Sequence, residues 1–252
     1  MTESDAPDTP TNREAHLSAG ILAVDVGGTG LKAAVIDDSG KLLTDRVRVP
    51  TPHPCPPAVF VEALAGLVAP LPDYDRIAIG FPGVVREGKV LTAPNLGTED
   101  WAGFALTDAV SAKLGGHPAR MINDAEMQGF GIIKGEGIEL VVTLGTGCGT
   151  ALFRKGELMQ HMELAHHPIH EDKTYDEWLG RAAMDEAGKK HWSKRVHKAI
   201  DILFVLLHYD HLYLGGGNSK HVQGDLPANV TIASNEAGIE GGAALWRAAK
   251  AG

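Results

Sequence analysis

Apolar residues occur along this chain in short runs that are bounded by glycine, proline and acidic residues. Runs of this length between turn residues are typical of buried strands, whereas apolar positions at helical spacing predict helices. In the first half, the pattern predicts helices over 57–68 and 106–114. It predicts strands over 21–26, 31–37, 41–49, 77–81 and 119–122. This half therefore begins as strand, strand, strand, helix, strand.

The second half repeats this order of elements without repeating the residues. A long helix is predicted over 191–208, and strands are predicted over 139–144, 150–153, 157–160 and 211–214. The repeat predicts an α/β protein with two packed lobes and a cleft between them, because ligands in such sheets gather where loops leave the strand ends.

The domain boundaries follow from this repeat. We expect an N-terminal α/β lobe over 19–122 and a C-terminal α/β lobe over 123–252. A helix over about 237–250 is expected to pack back on the first lobe. The acidic, Pro-containing segment 1–18 is expected to be a disordered tail.

Two glycine-rich turns stand at equivalent places in the two halves. They are Asp25-Val-Gly-Gly-Thr-Gly-Leu-Lys32 and Thr143-Leu-Gly-Thr-Gly-Cys-Gly-Thr150. Each turn joins two apolar strands, so we predict hairpin tips whose bare amides line an anion-binding hollow. Two hollows that face each other indicate a clamp around a phosphoryl donor. Neither turn fits the Walker or the Rossmann pattern, which disfavours P-loop NTPases and nicotinamide enzymes.

Two acidic residues are candidates for the chemistry. Asp25 ends the first strand, where a carboxylate either holds Mg²⁺ through its water shell or forms a local turn. Asp124 follows the strand over 119–122 and opens a helix that we predict to reach residue 133. Spacing alone favours neither of two interpretations of Asp124: a helix cap, or a general base that accepts the proton of an attacking alcohol.

Three further stretches carry polar residues. Leu212-Tyr-Leu-Gly-Gly-Gly-Asn-Ser219 is expected to end a strand and start a helix against a phosphate chain or a flat base. The histidine-rich stretch 161–170 fits a loop that contacts a polyhydroxyl substrate, with a metal site or a solvated loop as alternatives. The basic stretch 189–198 is either a solvated helix face or a polyphosphate patch, with candidate residues Lys190, Lys194, Arg195 and Lys198.

Composition narrows the class of protein. The chain has 252 residues, a formal net charge of −9 and two cysteines. The acidic balance argues against a nucleic-acid binder, and so few cysteines favour a reducing cytoplasm. We find no apolar run of membrane-spanning length and no secretory signal, so we expect a cytoplasmic protein without a membrane partner.

The ordered set of motifs resembles the ROK family of sugar kinases, within the actin and hexokinase superfamily. The resemblance runs from about residue 21 to residue 246 and rests on the two glycine turns, Asn123-Asp124, Leu214-Gly-Gly-Gly-Asn-Ser and Ala237-Gly-Ile-Glu-Gly-Gly-Ala. It implies a two-lobed actin-like (ribonuclease H-like) ATPase fold with duplicated βββαβα halves and a central cleft.

The resemblance also implies roles for individual residues. Asp124 would be the catalytic base, and Asp25 would hold Mg²⁺ through water. The sugar site would comprise Gly83, Asn95, Asn123, Asp124, Glu163, His166 and Glu177. The phosphoryl donor would lie against Asp25, Gly27, Gly28, Thr29, Gly30, Lys32, Gly145, Thr146, Gly147, Gly215, Gly216 and Gly217. The family's cysteine-rich zinc motif is missing, so no structural zinc is expected. Ala165 stands where the family has glycine, and Gln160-His-Met-Glu163 stands for its Pro-Asn-Thr-Glu.

The implied activity is transfer of a phosphoryl group to the 6-hydroxyl of glucose, and of mannose as a second sugar. The missing zinc segment and the second glycine turn are similar to those of polyphosphate glucokinases, so inorganic polyphosphate is the expected donor, with ATP as second donor. A strictly ATP-dependent hexose kinase and a non-catalytic sugar-binding ROK protein are the alternatives. The resemblance further implies a homodimer.

Overall fold

The computed structural model describes residues 20–234 and 237–247. The expected tail over 1–18 and the last residues of the expected C-terminal helix lie outside these ranges. In the first half, the helices are α1 (Pro57–Val68), α2 (Thr98–Trp101), α3 (Leu106–Lys113) and α4 (Asp124–Phe130). The strands are β1 (Gly20–Val26), β2 (Leu31–Ile36), β3 (Val47–Val49), β4 (Tyr74–Phe81), β5 (Val85–Arg86), β6 (Lys89–Val90) and β7 (Ala119–Asn123).

The second half follows the same plan. Its helices are α5 (Tyr175–Leu179), α6 (Arg181–Leu207) and α7 (Ala237–Glu240). Its strands are β8 (Ile138–Leu144), β9 (Cys148–Arg154), β10 (Glu157–Leu158), β11 (Pro168–His170), β12 (Lys173–Thr174), β13 (His211–Gly215) and β14 (Val230–Ile232).

The two large sheets have equivalent topology. The first sheet runs β3-β2-β1-β4-β7, and the second runs β10-β9-β8-β13-β14. In each, the first three strands of the half are antiparallel and the later two are parallel to the first strand. The glycine turns therefore connect antiparallel partners, β1 with β2 and β8 with β9, which confirms the predicted hairpin tips.

Both faces of each sheet are covered, which explains the nearly continuous apolar sequence of the central strands. In β1, Leu22 and Val24 pack with α1 and α3 on one face, whereas Ile21 and Ala23 pack with Ile239 of α7 on the other. In the second sheet, α5 and α6 cover one face, and Phe130 at the end of α4 joins the cluster on the other. Two sheets with helical layers form the two lobes of the fold.

Helix α4 lies between the lobes and positions the site. It contacts β4 of the first sheet, β8 and β9 of the second, and α7. Its first turn follows β7 directly, so the residue at its start faces the region where the two glycine turns lie. The segment Ala237–Trp246 packs on β1 and β4 as α7 and a 3-10 turn.

Several elements differ from the sequence predictions. The strand expected over 41–49 is reduced to β3, because the Thr44 hydroxyl accepts the Val35 N–H and interrupts the ladder. Helix α6 begins ten residues earlier than expected and is kinked at Gly188, whose φ is 73°. The helix expected after the third glycine motif is only the 3-10 turn Ser219–His221. Within the described ranges we find no helix that is long and apolar enough to cross a membrane.

Candidate active site

A cleft of about 640 Å³ lies between the two lobes. Both glycine turns line it, together with the start of α4 and the turn after β13. Residues predicted for the site that line this cleft are Asp25, Gly27, Gly28, Thr29, Gly30, Lys32, Gly83, Asn95, Asn123, Asp124, Gly145, Thr146, Gly147, Glu163, His166, Gly216 and Gly217. The fold thus brings the predicted donor and sugar segments to one cavity.

Asp124 is held at the first position of α4 by a capping box. The side-chain oxygen of Asn123 accepts the Ala125 N–H at 2.9 Å, and Glu126 accepts the Asn123 N–H at 3.1 Å. The Asn123 amide donates to the Gly83 carbonyl at 3.1 Å, which ties the helix start to the Pro-Gly loop. The helix-cap and general-base interpretations are therefore compatible, because Asn123 caps the helix and Asp124 is left facing the cleft.

The environment of Asp124 favours its protonated form. Burial is the main cause, and the negative charge of Asp25 adds to it, so the pKa of Asp124 rises from 3.8 to about 7. Glu163 contributes in the same direction, whereas the Ala125 N–H lowers the pKa. A carboxyl group that titrates near neutral pH is suited to accept a proton from an alcohol.

The first glycine turn carries the charged groups of the donor side. Lys32 donates to Asp25 Oδ2 at 2.9 Å, directly across the β1–β2 pair. The Gly27 N–H closes the turn on the Gly30 carbonyl at 3.0 Å, and the Thr51 hydroxyl donates to the Gly27 carbonyl at 2.6 Å. These bonds fix the turn at the end of the β1–β2 hairpin, in the middle of the sheet.

The second glycine turn is fixed by two helices of its own lobe. The N–H of Arg181, the first residue of α6, donates to the Gly145 and Thr146 carbonyls at 3.0 and 3.1 Å. Asp176 accepts the Cys148 N–H at 2.6 Å, and a Cβ at Gly147 would lie 2.5 Å from the same carboxylate. The turn is therefore packed against α5 and the start of α6.

The third glycine motif closes the donor side of the cleft. Gly216 has a φ of 79°, and a Cβ there would overlap the Leu144 backbone. The Asn218 amide donates to the Gly145 carbonyl at 2.8 Å. Its side-chain oxygen is buried and has no hydrogen-bond partner among the residues that the structure describes. Asn218 lines the cleft, and its buried oxygen is an acceptor that no protein donor satisfies in the described part of the chain.

The loop before α5 contributes the remaining polar groups. Glu163 and His166 line the cleft beside Ala165. His161 lies behind Glu163, with Nδ1 at 2.7 Å from Glu126 Oε1 and Nε2 at 3.4 Å from Glu163 Oε2. These contacts hold the loop against α4.

Some predicted residues lie elsewhere. Glu177 does not line the cleft, because it caps α5 by accepting the Thr174 N–H at 2.9 Å. Gly215 ends β13 inside the sheet, where it packs near Gln128. The candidate basic patch is also outside the cleft: Lys194 and Lys198 line a separate groove on α6, Arg195 donates to the Trp178 carbonyl, and Lys190 is exposed.

Other residues of the site were not predicted from the sequence. Arg48, Asp176, Arg181 and Asp185 line the cleft, and Glu126 supports it by contacting His161 of the predicted histidine-rich loop. Glu126 had a local signal, since Asn-x-x-Glu before a helix is a capping-box pattern. Arg181 and Asp185 are four residues apart on α6 and so share one face of that helix, but nothing in this spacing indicates that the face lines the cleft.

In the described ranges, no group of three or more histidine, cysteine, aspartate or glutamate side chains could hold a metal ion. Mg²⁺ keeps several waters and is often bound through one or two carboxylates together with substrate phosphates. Asp25, a single carboxylate at the donor side of the cleft, fits that kind of site.

Residues 21–172 match the family described as the ROK family. The chain belongs to the ROK family. A polyphosphate glucokinase from Mycobacterium tuberculosis is 29% identical over 95% of this chain and 96% of its own length. One from Mycobacterium leprae is 27% identical over 96% of this chain and 82% of its own length. The predicted family is therefore confirmed.

Solved structures agree with this ROK assignment. The inorganic polyphosphate/ATP-glucomannokinase of Arthrobacter sp. strain KM is 31% identical and superposes with a TM-score of 0.80, over 90% of this chain and 98% of that one. A ROK family glucokinase from Streptomyces griseus, in complex with glucose and AMPPNP, has a TM-score of 0.74 at 21% identity, over 90% of this chain and 99% of that one. The two-lobed actin-like fold is confirmed.

Proposed function

We propose that this chain phosphorylates the 6-hydroxyl of glucose, with Asp124 as the general base. The observation that carries the proposal is the cleft itself, where Asp124 faces both glycine turns. The chain is a phosphotransferase of the hexose kinase type, and the M. tuberculosis relative is a polyphosphate glucokinase. Mannose is the second sugar, in line with the glucomannokinase neighbour.

The proposed chemistry starts with the sugar between Asp124 and the Glu163–His166 loop. Asp124 accepts the proton of the attacking hydroxyl, and the glycine turns hold the donor so that its terminal phosphoryl group faces that oxygen. Lys32 and Asp25 lie beside this position. Mg²⁺ held by Asp25 through water would neutralise charge on the donor phosphates.

The experiment that tests the base role is Asp124→Asn, measured with a donor-by-sugar panel. Turnover should fall by roughly 10²–10⁴. Glucose binding, measured by calorimetry, should change much less, because the amide keeps the shape and the hydrogen bond from Ala125. Asp185→Asn is the matched control, since it removes a carboxylate from the same cleft away from α4. Near-normal turnover of Asp124→Asn would reject the role, and a wild-type protein that binds glucose without consuming donor would be a non-catalytic sugar-binding protein.

The donor proposal is polyphosphate first and ATP second. Arg181 lines the cleft. Burial lowers the pKa of His221, and the positive charges of Lys189, Lys220 and Arg181 lower it further, so these three cations lie around that ring. Ser193 joins these segments, since its hydroxyl donates to the Lys189 carbonyl at 2.7 Å and accepts the Gln223 N–H at 2.9 Å. Arg181 contacts the second glycine turn, so a group of cations that begins at this residue suits the continuing chain of a polyphosphate.

Two pairs of charge reversals test the donor path. Lys189→Glu with Lys220→Glu should raise the KM for long polyphosphate about tenfold, or about 1.4 kcal/mol, and leave the KM for ATP nearly unchanged. Lys194→Glu with Lys198→Glu is the control for net charge, because these lysines line the separate groove on α6. Equal effects of the two pairs would mean that overall charge, and not this path, governs polyphosphate binding.

ATP as second donor is supported by Asn218. Its buried side-chain oxygen is an acceptor at the cleft wall that no protein group satisfies among the residues described. An adenine amino group supplies the N–H donor that such an acceptor lacks, whereas polyphosphate has none. Inosine triphosphate, which lacks that amino group, should therefore be a poorer donor than ATP; equal KM values would contradict this assignment.

A further inference from the structure

His161 lies between two carboxylates that belong to different parts of the site. Its Nδ1 is 2.7 Å from Glu126 Oε1 on α4, and its Nε2 is 3.4 Å from Glu163 Oε2 on the cleft loop. The imidazole therefore connects the helix that begins with Asp124 to the loop that lines the cleft.

The Glu126 end of this connection is firmly anchored. The side chain of Glu126 is 7% exposed, and its second oxygen accepts the Asn123 N–H at 3.1 Å. Glu163 is less enclosed, with 29% of its side chain exposed. A bridge from the anchored carboxylate thus restrains the more exposed one, because the hydrogen-bonded ring has little freedom to rotate.

Only the protonated ring can serve both contacts. A neutral imidazole has one N–H and one lone pair, so one of its nitrogens would face a carboxylate without a proton between them. The hydrogen bond to Glu126, followed by that to Glu163, raises the pKa of His161 to about 9. The same contact lowers the pKa of Glu163. At neutral pH the three side chains therefore form a row in which the imidazolium of His161 lies between two carboxylates.

We propose that His161 is a positioning residue of the sugar site, whose imidazolium, bound to Glu126, holds the Glu163 carboxylate in place to accept a hydrogen bond from a sugar hydroxyl. The inference rests on the proposed hexose kinase activity. Among the described residues, Glu126 from α4 and Glu163 from the same loop are the charged groups bonded to the ring. His166 also lowers the pKa of Glu163, and Asp176 is a further carboxylate that interacts with Glu163 and His166.

Two substitutions separate the charge from the packing. His161→Gln keeps a polar side chain but loses the charge and one of the two bonds. We expect the KM for glucose to rise about tenfold, as for the loss of one charge-assisted hydrogen bond, with kcat and the donor KM within about twofold of wild type. His161→Arg keeps a cation with several N–H donors and should recover part of the loss. His167→Gln is the control, since that exposed ring bonds only to the Pro168 carbonyl among the described residues.

The pH dependence provides a readout that packing alone would not change. In the wild type, the KM for glucose should rise as pH passes about 9, because the imidazolium then loses the proton that one carboxylate needs. His161→Gln should lack this alkaline rise, and His161→Arg should keep a low KM there. A glucose KM for His161→Gln equal to wild type would overturn the proposal, as would a loss in kcat and KM together that Arg does not restore in a variant with a normal melting curve.

Failure of the proposed function can be told apart from failure of this inference. If the wild type consumes no donor with any hexose, the kinase proposal fails irrespective of His161. Calorimetric titration of wild type and His161→Gln with glucose then tests the positioning role alone. Weaker binding in the variant supports it, and equal binding contradicts it.

Discussion

Asp124→Asn should make the folded protein more stable at neutral and alkaline pH while it abolishes most of the activity. The reason is that the pKa of Asp124 rises from 3.8 to about 7 on folding, through burial and the nearby charge of Asp25. The native structure therefore resists ionisation of a group that ionises readily in the unfolded chain. A neutral amide at the same position removes this conflict, and its oxygen can still accept the Ala125 N–H.

The sign and size of the effect follow from linkage. Below pH 3.8 the carboxyl is protonated in both states, so Asp124 costs the wild type nothing. Between the two pKa values the unfolded chain is ionised and the folded one is not, so wild-type stability falls as pH rises, and it levels off above about 7. A shift of about three pKa units corresponds to about 4 kcal/mol at pH 8, about 2 kcal/mol at pH 5.5 and under about 1 kcal/mol at pH 4.

The assay is urea unfolding of wild type and Asp124→Asn at these three pH values, with Asp185→Asn as the exposed control. The free-energy difference between wild type and Asp124→Asn should grow with pH, and the control should show no such trend. An Asp124→Asn variant that is equally stable, or less stable, at pH 8 would refute the claim that this carboxyl is electrostatically strained. A gain that is the same at all three pH values would assign the effect to packing instead.

The Asp124 carboxyl should also give kcat/KM for glucose an acid limb near pH 7. Asp25→Asn should move this limb, measured on the residual activity, to lower pH, because it removes a neighbouring negative charge. A limb that does not move would argue against Asp124 as the titrating group. Gly216→Ala should destabilise the fold by about 1–3 kcal/mol in urea unfolding, since φ is 79° and the methyl group would meet the β8 backbone, whereas Gly217→Ala has open space and should be nearly neutral. Both cysteines are buried and burial raises the pKa of each thiol, so iodoacetamide should modify them only in unfolding urea; mass-spectrometric labelling of the native protein would contradict this.

Local patterns predicted the parts of the site that local chemistry determines. The glycine turns were recognised because a hairpin tip needs its glycines within a few residues, and the strands on either side show the same apolar runs. The order of elements in the two halves then predicted the paired sheets. Nothing beyond the sequence near each turn is required for these features, which is why they agree with the structure.

Glu177 shows where a resemblance and a local pattern compete. Thr174-Tyr-Asp-Glu177 is itself a capping-box pattern, and the structure uses it as one, with Glu177 bonded to the Thr174 N–H. The neighbouring Asp176 accepts the Cys148 N–H of the second glycine turn instead. Adjacent helical residues point about 100° apart, so one position along α5 decides which carboxylate lines the cleft.

Long-range contacts account for most of what the sequence did not reveal. Lys194 and Lys198 are four residues apart and line one groove on α6, but their spacing does not indicate that this face lies away from the cleft. His161 reaches Glu126 across 35 positions of the chain.

The duplicated halves are equivalent in backbone but not in charge, and this asymmetry explains how the base approaches the donor. The pair across the first hairpin is Asp25 with Lys32, whereas the corresponding pair in the second is Thr143 with Gly149. A Cβ at Gly149 would lie 2.6 Å from the Thr143 hydroxyl and 2.9 Å from the Ala125 Cβ. The second hairpin therefore has no room for a side chain there, because the first turn of α4 occupies that space. One hairpin supplies charge to the donor side, and the other, through a glycine without a side chain, lets the helix that carries Asp124 reach the same cleft.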